Sequence, residues 1–176
     1  MPVLRTIGYE GASIEDFIVT LHEAGVRLLI DVRELPISRR RGFAKNALAA
    51  ALEAVGIRYV HLKGLGDPKE GRDAARANDF DKFLRIYTRH LKTAAAQRDL
   101  AHAVQLGAEG NACLMCYERD YKICHRLLVA QAMAGIVSTQ IKHLGVRQGL
   151  GRDKYKTDRT GHRFSQSATS RGQEAR

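Results

Sequence analysis

Short apolar runs alternate along this chain with segments whose apolar residues recur every three or four positions, a rhythm that predicts strands alternating with helices. Val3 to Gly8 reads as a short strand stopped by glycine, and Ser13-Ile-Glu-Asp16 opens a helix after it. The Ser13 hydroxyl can accept from an early amide, while Asp16 suits the positive end of the helix dipole. Ile14, Phe17, Ile18 and Leu21 then mark a buried face that Gly25 terminates. Arg27 to Val32 is a near-continuous apolar strand, as expected where helices cover both faces of a sheet. Leu48, Ala51, Leu52 and Val55 mark a second helix, and Ile57 to Leu62 a third strand. Beyond the glycine-rich loop Gly64-Leu-Gly66-Asp-Pro68, Asn78 caps a helix facing inward through Phe80, Phe83, Leu84, Tyr87 and Leu91. A further helix covers about 98–106, Ala112 to Cys116 is the fourth strand, and a helix runs from Cys124 to Gly135. Gln140 to Leu144 makes a marginal fifth strand.

Strands alternating with helices demand right-handed crossovers, hence a mostly parallel sheet. The expected fold is α/β: a three-layer, Rossmann-like domain with four to five strands and helices on both faces. The first choice of strand order is 3-2-1-4-5. At 176 residues the chain suits one domain, placed at 1–148, with a tail at 149–176.

Composition sharpens the boundary. Net charge is +10, but residues 1–138 hold 20 Lys/Arg and 16 Asp/Glu, whereas 139–176 hold 9 and 3. A tail so basic and so poor in aliphatic residues is expected to stay solvated and disordered, with contact to nucleic acid as the alternative. No apolar run is long enough for a membrane span, and no signal peptide is visible, so a cytoplasmic location is expected. Three cysteines, an odd number, argue against a secreted disulfide framework. No dinucleotide fingerprint, P-loop or zincin motif is present, so no cofactor is called for. Oligomeric state is not encoded in any of these patterns.

The unusual chemistry is concentrated in Cys116-Tyr-Glu118-Arg-Asp-Tyr-Lys-Ile-Cys124-His125-Arg126, eleven residues at a strand-to-helix junction. Ligands of open parallel sheets gather beyond the carboxyl ends of strands. Those ends here hold Tyr9, then Asp31, Arg33, Ser38 and Arg39, then His61, and finally the Cys116–Arg126 segment. Cys124 at a helix N-terminus beside His125 and Arg126 is a setting that favours thiolate. It is a candidate nucleophile, a disulfide partner for Cys116, or a packing residue beside an anion pocket. Cys113, Cys116, Cys124 and His125 also have the residue types of a zinc site. Strand alternation points Cys113 and Cys116 to opposite faces, and adjacent Cys124 and His125 make an awkward ligand pair on a helix, so no metal is assigned. Glu118 is either a general base or the partner of Arg33 or Arg126.

Thr6-Ile-Gly8-Tyr9, Asp31-Val-Arg33 with Pro36 and Ser38, the stretch from Gly56 to Gly66, and Cys116-x-Glu118 with Cys124-His125-Arg126 together resemble the domain-of-unknown-function family 488 over about 3–145. The resemblance implies an α/β domain whose motif residues share a pocket, and it implies no particular activity. That family usually carries His where this chain has Tyr9. Asp31-Val-Arg33-Glu34 is also similar to the strand end of rhodanese-like sulfurtransferases, but Cys116 lacks their glycine-bearing amide loop. The expected function is an anion-binding pocket at the strand ends, serving a thiol-dependent enzyme that acts on a phosphate-bearing or nucleic-acid-derived ligand. Cys124, Cys116 and Glu118 would be catalytic; Tyr9, Asp31, Arg33, Ser38, Arg39, His61, His125 and Arg126 would bind the anionic small molecule or nucleic acid. The alternative is a non-catalytic nucleic-acid-binding module using the basic rim and the tail.

Overall fold

A computed structural model describes residues 2–151, so the tail expected from 149 onward lies almost wholly outside the described residues. Five parallel strands form one sheet: β1 (Val3–Gly8), β2 (Leu28–Asp31), β3 (Arg58–His61), β4 (Ala112–Cys116) and β5 (Gln140–Leu144). The helices are α1 (Ile14–Glu23), α2 (Lys45–Glu53), α3 (Lys69–Arg76), α4 (Phe80–Leu91), α5 (Ala94–Ala108) and α6 (His125–Ile136). This is the expected three-layer α/β architecture. Among the described residues no helix is long and apolar enough to cross a membrane.

The strand order is β3-β2-β4-β1-β5, which corrects the expected 3-2-1-4-5. β4 inserts between β1 and β2, and all five of its residues are buried. Central position explains its unbroken apolar character, since both faces are covered. Its side chains alternate as strand geometry requires. Cys113 and Met115 join Ile7, Leu29 and the inner faces of α1 and α2. Ala112, Leu114 and Cys116 join Ile30, Val32 and the residues of α3 to α6. Leu114 is fully buried, and truncating such a residue to Ala costs about 2–5 kcal/mol.

Local chemistry sets the helix starts. The Ser13 hydroxyl accepts from Asp16 N at 3.1 Å, as anticipated. The carboxylate of Asp16, however, is buried and accepts from Gly149 N and Gly151 N, which moors the last described residues against α1. α4 is capped by Asp79, whose side chain accepts from Lys82 N, rather than by Asn78. Asn78 adopts φ 57°, a left-handed conformation that Asn tolerates, at the end of a helix (α3) that periodicity did not reveal.

Candidate functional site

The parallel register brings the ends of β1, β2 and β4 level: Gly8 lies opposite Cys116, and Asp31 opposite Met115. Past Asp31 the chain turns, and the guanidinium of Arg33 folds back onto the Asp31 carboxylate. Arg33 Nε donates to Oδ1 at 2.9 Å and Nη2 to Oδ2 at 2.6 Å, while Nη1 donates to Tyr9 Oη and the Phe43 carbonyl, each at 3.0 Å. Tyr59 Oη donates to the same carboxylate at 2.6 Å, and a His61 ring nitrogen meets the Arg33 carbonyl at 2.8 Å. Tyr9 stacks on Phe43 with ring centroids 4.3 Å apart. Burial works against the charge on Arg33, but the Asp31 contacts more than offset it and raise its pKa overall. Asp31 and Arg33 are both buried. Tyr9, Asp31, Arg33 and His61 therefore form one internal network, and the Arg33 fork is spent on protein partners rather than on an open rim.

A second group of side chains comes from β4 and the start of α6. Cys116 Sγ and Cys124 Sγ donate to Glu118 Oε2 at 3.0 Å and 3.1 Å. His125 Nδ1 lies 3.6 Å from Cys116 Sγ and 4.0 Å from Cys124 Sγ. One ligand-type atom from each of Cys116, Glu118, Cys124 and His125 falls within 4.8 Å of the others. The cluster is welded to the first network through Val32, whose carbonyl meets His125 Nε2 at 2.8 Å. A carbonyl only accepts, so Nε2 carries a proton, and Nδ1 is the ring nitrogen left to face the sulfurs. Tyr87 of α4 packs against that ring at a centroid distance of 5.2 Å and donates to the Leu65 carbonyl at 2.6 Å.

Cys124 lies at the helix N-terminus, as its sequence position implies, but on helical backbone it and His125 would diverge. It is the N-cap of α6, with extended backbone (φ −122°, ψ 138°). An extended residue next to a helical one aims its side chain independently of the helix face, and that removes the objection to the adjacent pair. Only Cys113 is excluded, sealed on the opposite face of the sheet as its strand position implied.

Burial dominates the thiols. Desolvation raises the pKa of Cys116 and lifts that of Cys124 well above the ordinary value. Burial of a thiol 3% exposed thus works against the thiolate that the helix terminus favours. Burial also opposes charge on His125, but Cys124, Glu118 and the Val32 carbonyl bring its pKa up to about 9. For Glu118 burial acts upward, yet His125 and the two thiol hydrogen bonds outweigh it and hold the carboxyl below its usual range.

Arg126 is 1% exposed and donates only to neutral oxygens: the carbonyls of Glu118 and Arg119, the latter at 3.1 Å, and Thr6 Oγ1 at 3.4 Å. It forms no ion pair with any carboxylate among the described residues, so it ties the β4 loop to β1 without facing an external anion. Gly8 matters for the same contact. A Cβ built there would lie 2.6 Å from the Glu118 carbonyl carbon, closer still to its oxygen, and 3.0 Å from Arg126 Nη1. The glycine thus admits the loop that carries Glu118, a role hidden behind its reading as a strand stop.

Sequence reasoning also missed Asp67. It is buried, its Oδ1 has no hydrogen-bond partner among the described residues, and Gly71 lies so close that a Cβ there would be 2.9 Å from its carboxyl carbon. Burial, helped by the Glu118 and Glu34 carboxylates and opposed by His125 and Arg72, brings its pKa up to about 6. The only sequence signal was its position in a glycine-rich loop after a strand. Ser38, by contrast, merely accepts from Arg40 N at 3.1 Å, and Arg39 is exposed on the same loop; neither joins the cluster.

Comparison with curated proteins and with solved structures returns no match. The family model described as domain of unknown function DUF488 matches residues 13–133, which include β2, β4 and the whole Cys116–Arg126 segment. The chain belongs to the DUF488 family.

Proposed function

We propose that Cys116, Glu118, Cys124 and His125 form a zinc-class metal centre and that this chain is a metal-dependent enzyme working at the carboxyl edge of its sheet. The observation that carries the reading is the convergence of these four ligand atoms within 4.8 Å. Ligands on a tetrahedral ion with bonds of about 2.0–2.3 Å stand about 3.3–3.8 Å apart. The contacts of 3.0, 3.1, 3.6 and 4.0 Å bracket that range before any ion draws them in. Two thiols, an imidazole and a carboxylate suit zinc over the harder magnesium or calcium. The bond from His125 to the Val32 carbonyl is the outer contact that metal-bound histidines characteristically make.

Charge adds support. Two thiolates and a carboxylate around a divalent ion leave the centre with a net charge of about −1. Arg126, buried without a carboxylate partner among the described residues, supplies one positive charge beside it. Cys116, Cys124 and His125 are buried whereas Glu118 is half-buried, so Glu118 stands at the accessible side. Bound there, the ion would act as a Lewis acid on water or on a substrate carbonyl or phosphoryl oxygen. The chain's own part is to fix three ligands rigidly and to leave Glu118 as the ligand that can yield its place and accept a proton.

The test is metal content. Protein purified without chelator should carry about one zinc per chain, and cobalt substitution should give thiolate-to-metal charge-transfer absorption. Cys116→Ser and Cys124→Ser should each abolish that band. If the chain takes up neither ion at micromolar concentration, or if both thiols react with an alkylating agent equally fast with and without zinc, the proposal fails.

A further inference from the structure

Helix α4 turns Phe83, Ile86 and Tyr87 into the core and leaves Lys82, Arg85, Arg89 and Lys92 exposed, the last just past its C-terminus. Steps of three, four and three residues keep these four cations within an arc of about 80° on a helix of 3.6 residues per turn. They form one stripe about 15 Å long. Six ion pairs occur among the described residues, and they use Arg33, Arg58, Lys69, Arg72, Arg76 and Arg147. None uses a cation of the stripe, although Asp81 lies on the same helix and Glu70 nearby on α3. Two shallow depressions of about 350 and 330 Å³ lie along it, both walled by Arg85 and Arg89. Leu84 and Thr88 contribute to the first, Ile86 and Glu70 to the second.

We propose that α4 is a docking surface for the sugar-phosphate backbone of a nucleic acid, with Lys82, Arg85, Arg89 and Lys92 contacting successive phosphates. Successive cations stand about 4.5–6 Å apart along the axis, near the separation of neighbouring phosphates on one strand. The depressions flank the cations, one holding Leu84 and the other Ile86, and give room for the flat, uncharged bodies that alternate with phosphates along such a polymer. A lipid surface would need a broad apolar face beneath the charges, and here Phe80 and Leu84 are the only large apolar side chains exposed on the helix. This inference does not rest on the metal centre, which occupies the other side of α4 through the contact of Tyr87 with His125.

The test is fluorescence anisotropy with the full chain and a labelled, mixed-sequence single-stranded 20-mer, across about 50–300 mM salt. Arg85→Glu/Arg89→Glu is compared with Arg27→Glu/Lys45→Glu, which makes the same charge change at exposed positions outside the stripe. An unchanged circular dichroism spectrum and an unchanged melting temperature check that both variants are folded. The stripe variant should lose at least tenfold in affinity at 50 mM salt. Its log–log salt slope should become shallower by about 1.4, at about 0.7 per lost phosphate contact. The control should lose less than threefold. No binding by the wild type at 50 mM salt overturns the proposal, and so do equal losses in the two variants. Tighter binding to anionic vesicles than to the oligonucleotide, with the same dependence on Arg85 and Arg89, overturns the assignment to nucleic acid.

Discussion

Replacing Gly8 by Ala tests the site without touching a ligand. The added methyl would lie 2.6 Å from the Glu118 carbonyl carbon and 3.0 Å from Arg126 Nη1. Real Cβ contacts essentially never fall below 3.0 Å, so the backbone at Glu118 must retreat by about 1 Å. It cannot retreat freely. Tyr9 N donates to the Cys116 carbonyl at 3.4 Å, Glu10 N to that of Tyr117 at 2.9 Å, and Arg126 grips the carbonyls of Glu118 and Arg119. Overpacking of this kind costs about 1–3 kcal/mol of stability. Metal geometry is less forgiving, because ligand distances tolerate only about ±0.2 Å. A shift several times larger at the residue between Cys116 and Cys124 should weaken zinc by at least a hundredfold, about 2.7 kcal/mol. The assay is competition against a chromogenic chelator at pH 7, with thermal melting of the metal-free form to separate folding from binding. Wild-type zinc affinity in Gly8→Ala would refute the reasoning, since it would mean that the loop can move without the ligands moving.

Arg126→Met keeps the apolar stem and removes the buried charge. The zinc-loaded form should lose more thermal stability than the metal-free form, because only the loaded centre carries the charge that Arg126 balances; equal losses by calorimetry would refute that role. Asp67 has its pKa raised to about 6 by burial, so the folded state binds its proton more tightly than the unfolded chain does. Its contribution therefore favours folding at about pH 4 and is lost as pH rises through 6, by about 3 kcal/mol at most. Asp67→Asn should flatten the pH dependence of melting between pH 4 and 8 in chelator, and an unchanged profile would count against it. Gly135, inside α6 with open space around it and no positive φ, should accept Ala with a gain of about 0.5–1 kcal/mol in denaturant melts.

Much of this architecture was legible in the sequence. The Ser13 cap, the apolar spacing of α1 and the five strand segments follow from local periodicity, and the structure places them within a few residues of expectation. Strand order is not a local property. Nothing in the spacing of Val3–Gly8 or Ala112–Cys116 says which of them lies beside β2, although the five-residue buried run of β4 is what a central strand requires. α3 escaped because its buried residues are Gly71 and Ala74, too small to register as an apolar stripe. At the site, sequence position indicated the segment Cys116–Arg126 and the separation of Cys113 from it. It could not reveal that Cys124 is extended rather than helical, and that conformation is what lets two neighbouring side chains join one cluster. The arginines were over-read for a related reason: a guanidinium near a strand end faces outward only if no carboxylate or carbonyl inside claims it, and Asp31, Phe43, Glu118 and Arg119 do.

The insertion of β4 between β1 and β2 fixes an order of events during synthesis. The first 111 residues contain β1 and β2 but not the strand that joins them, so a nascent chain of that length exposes three unsatisfied strand edges, both of β1 and one of β2. Sheet closure must wait for 112–116 to emerge, and the same stretch delivers the first sulfur of the cluster. Joining of β1 to β2 and the first step of cluster assembly are thus a single event, one that a chaperone holding the edges of β1 and β2 apart would delay together.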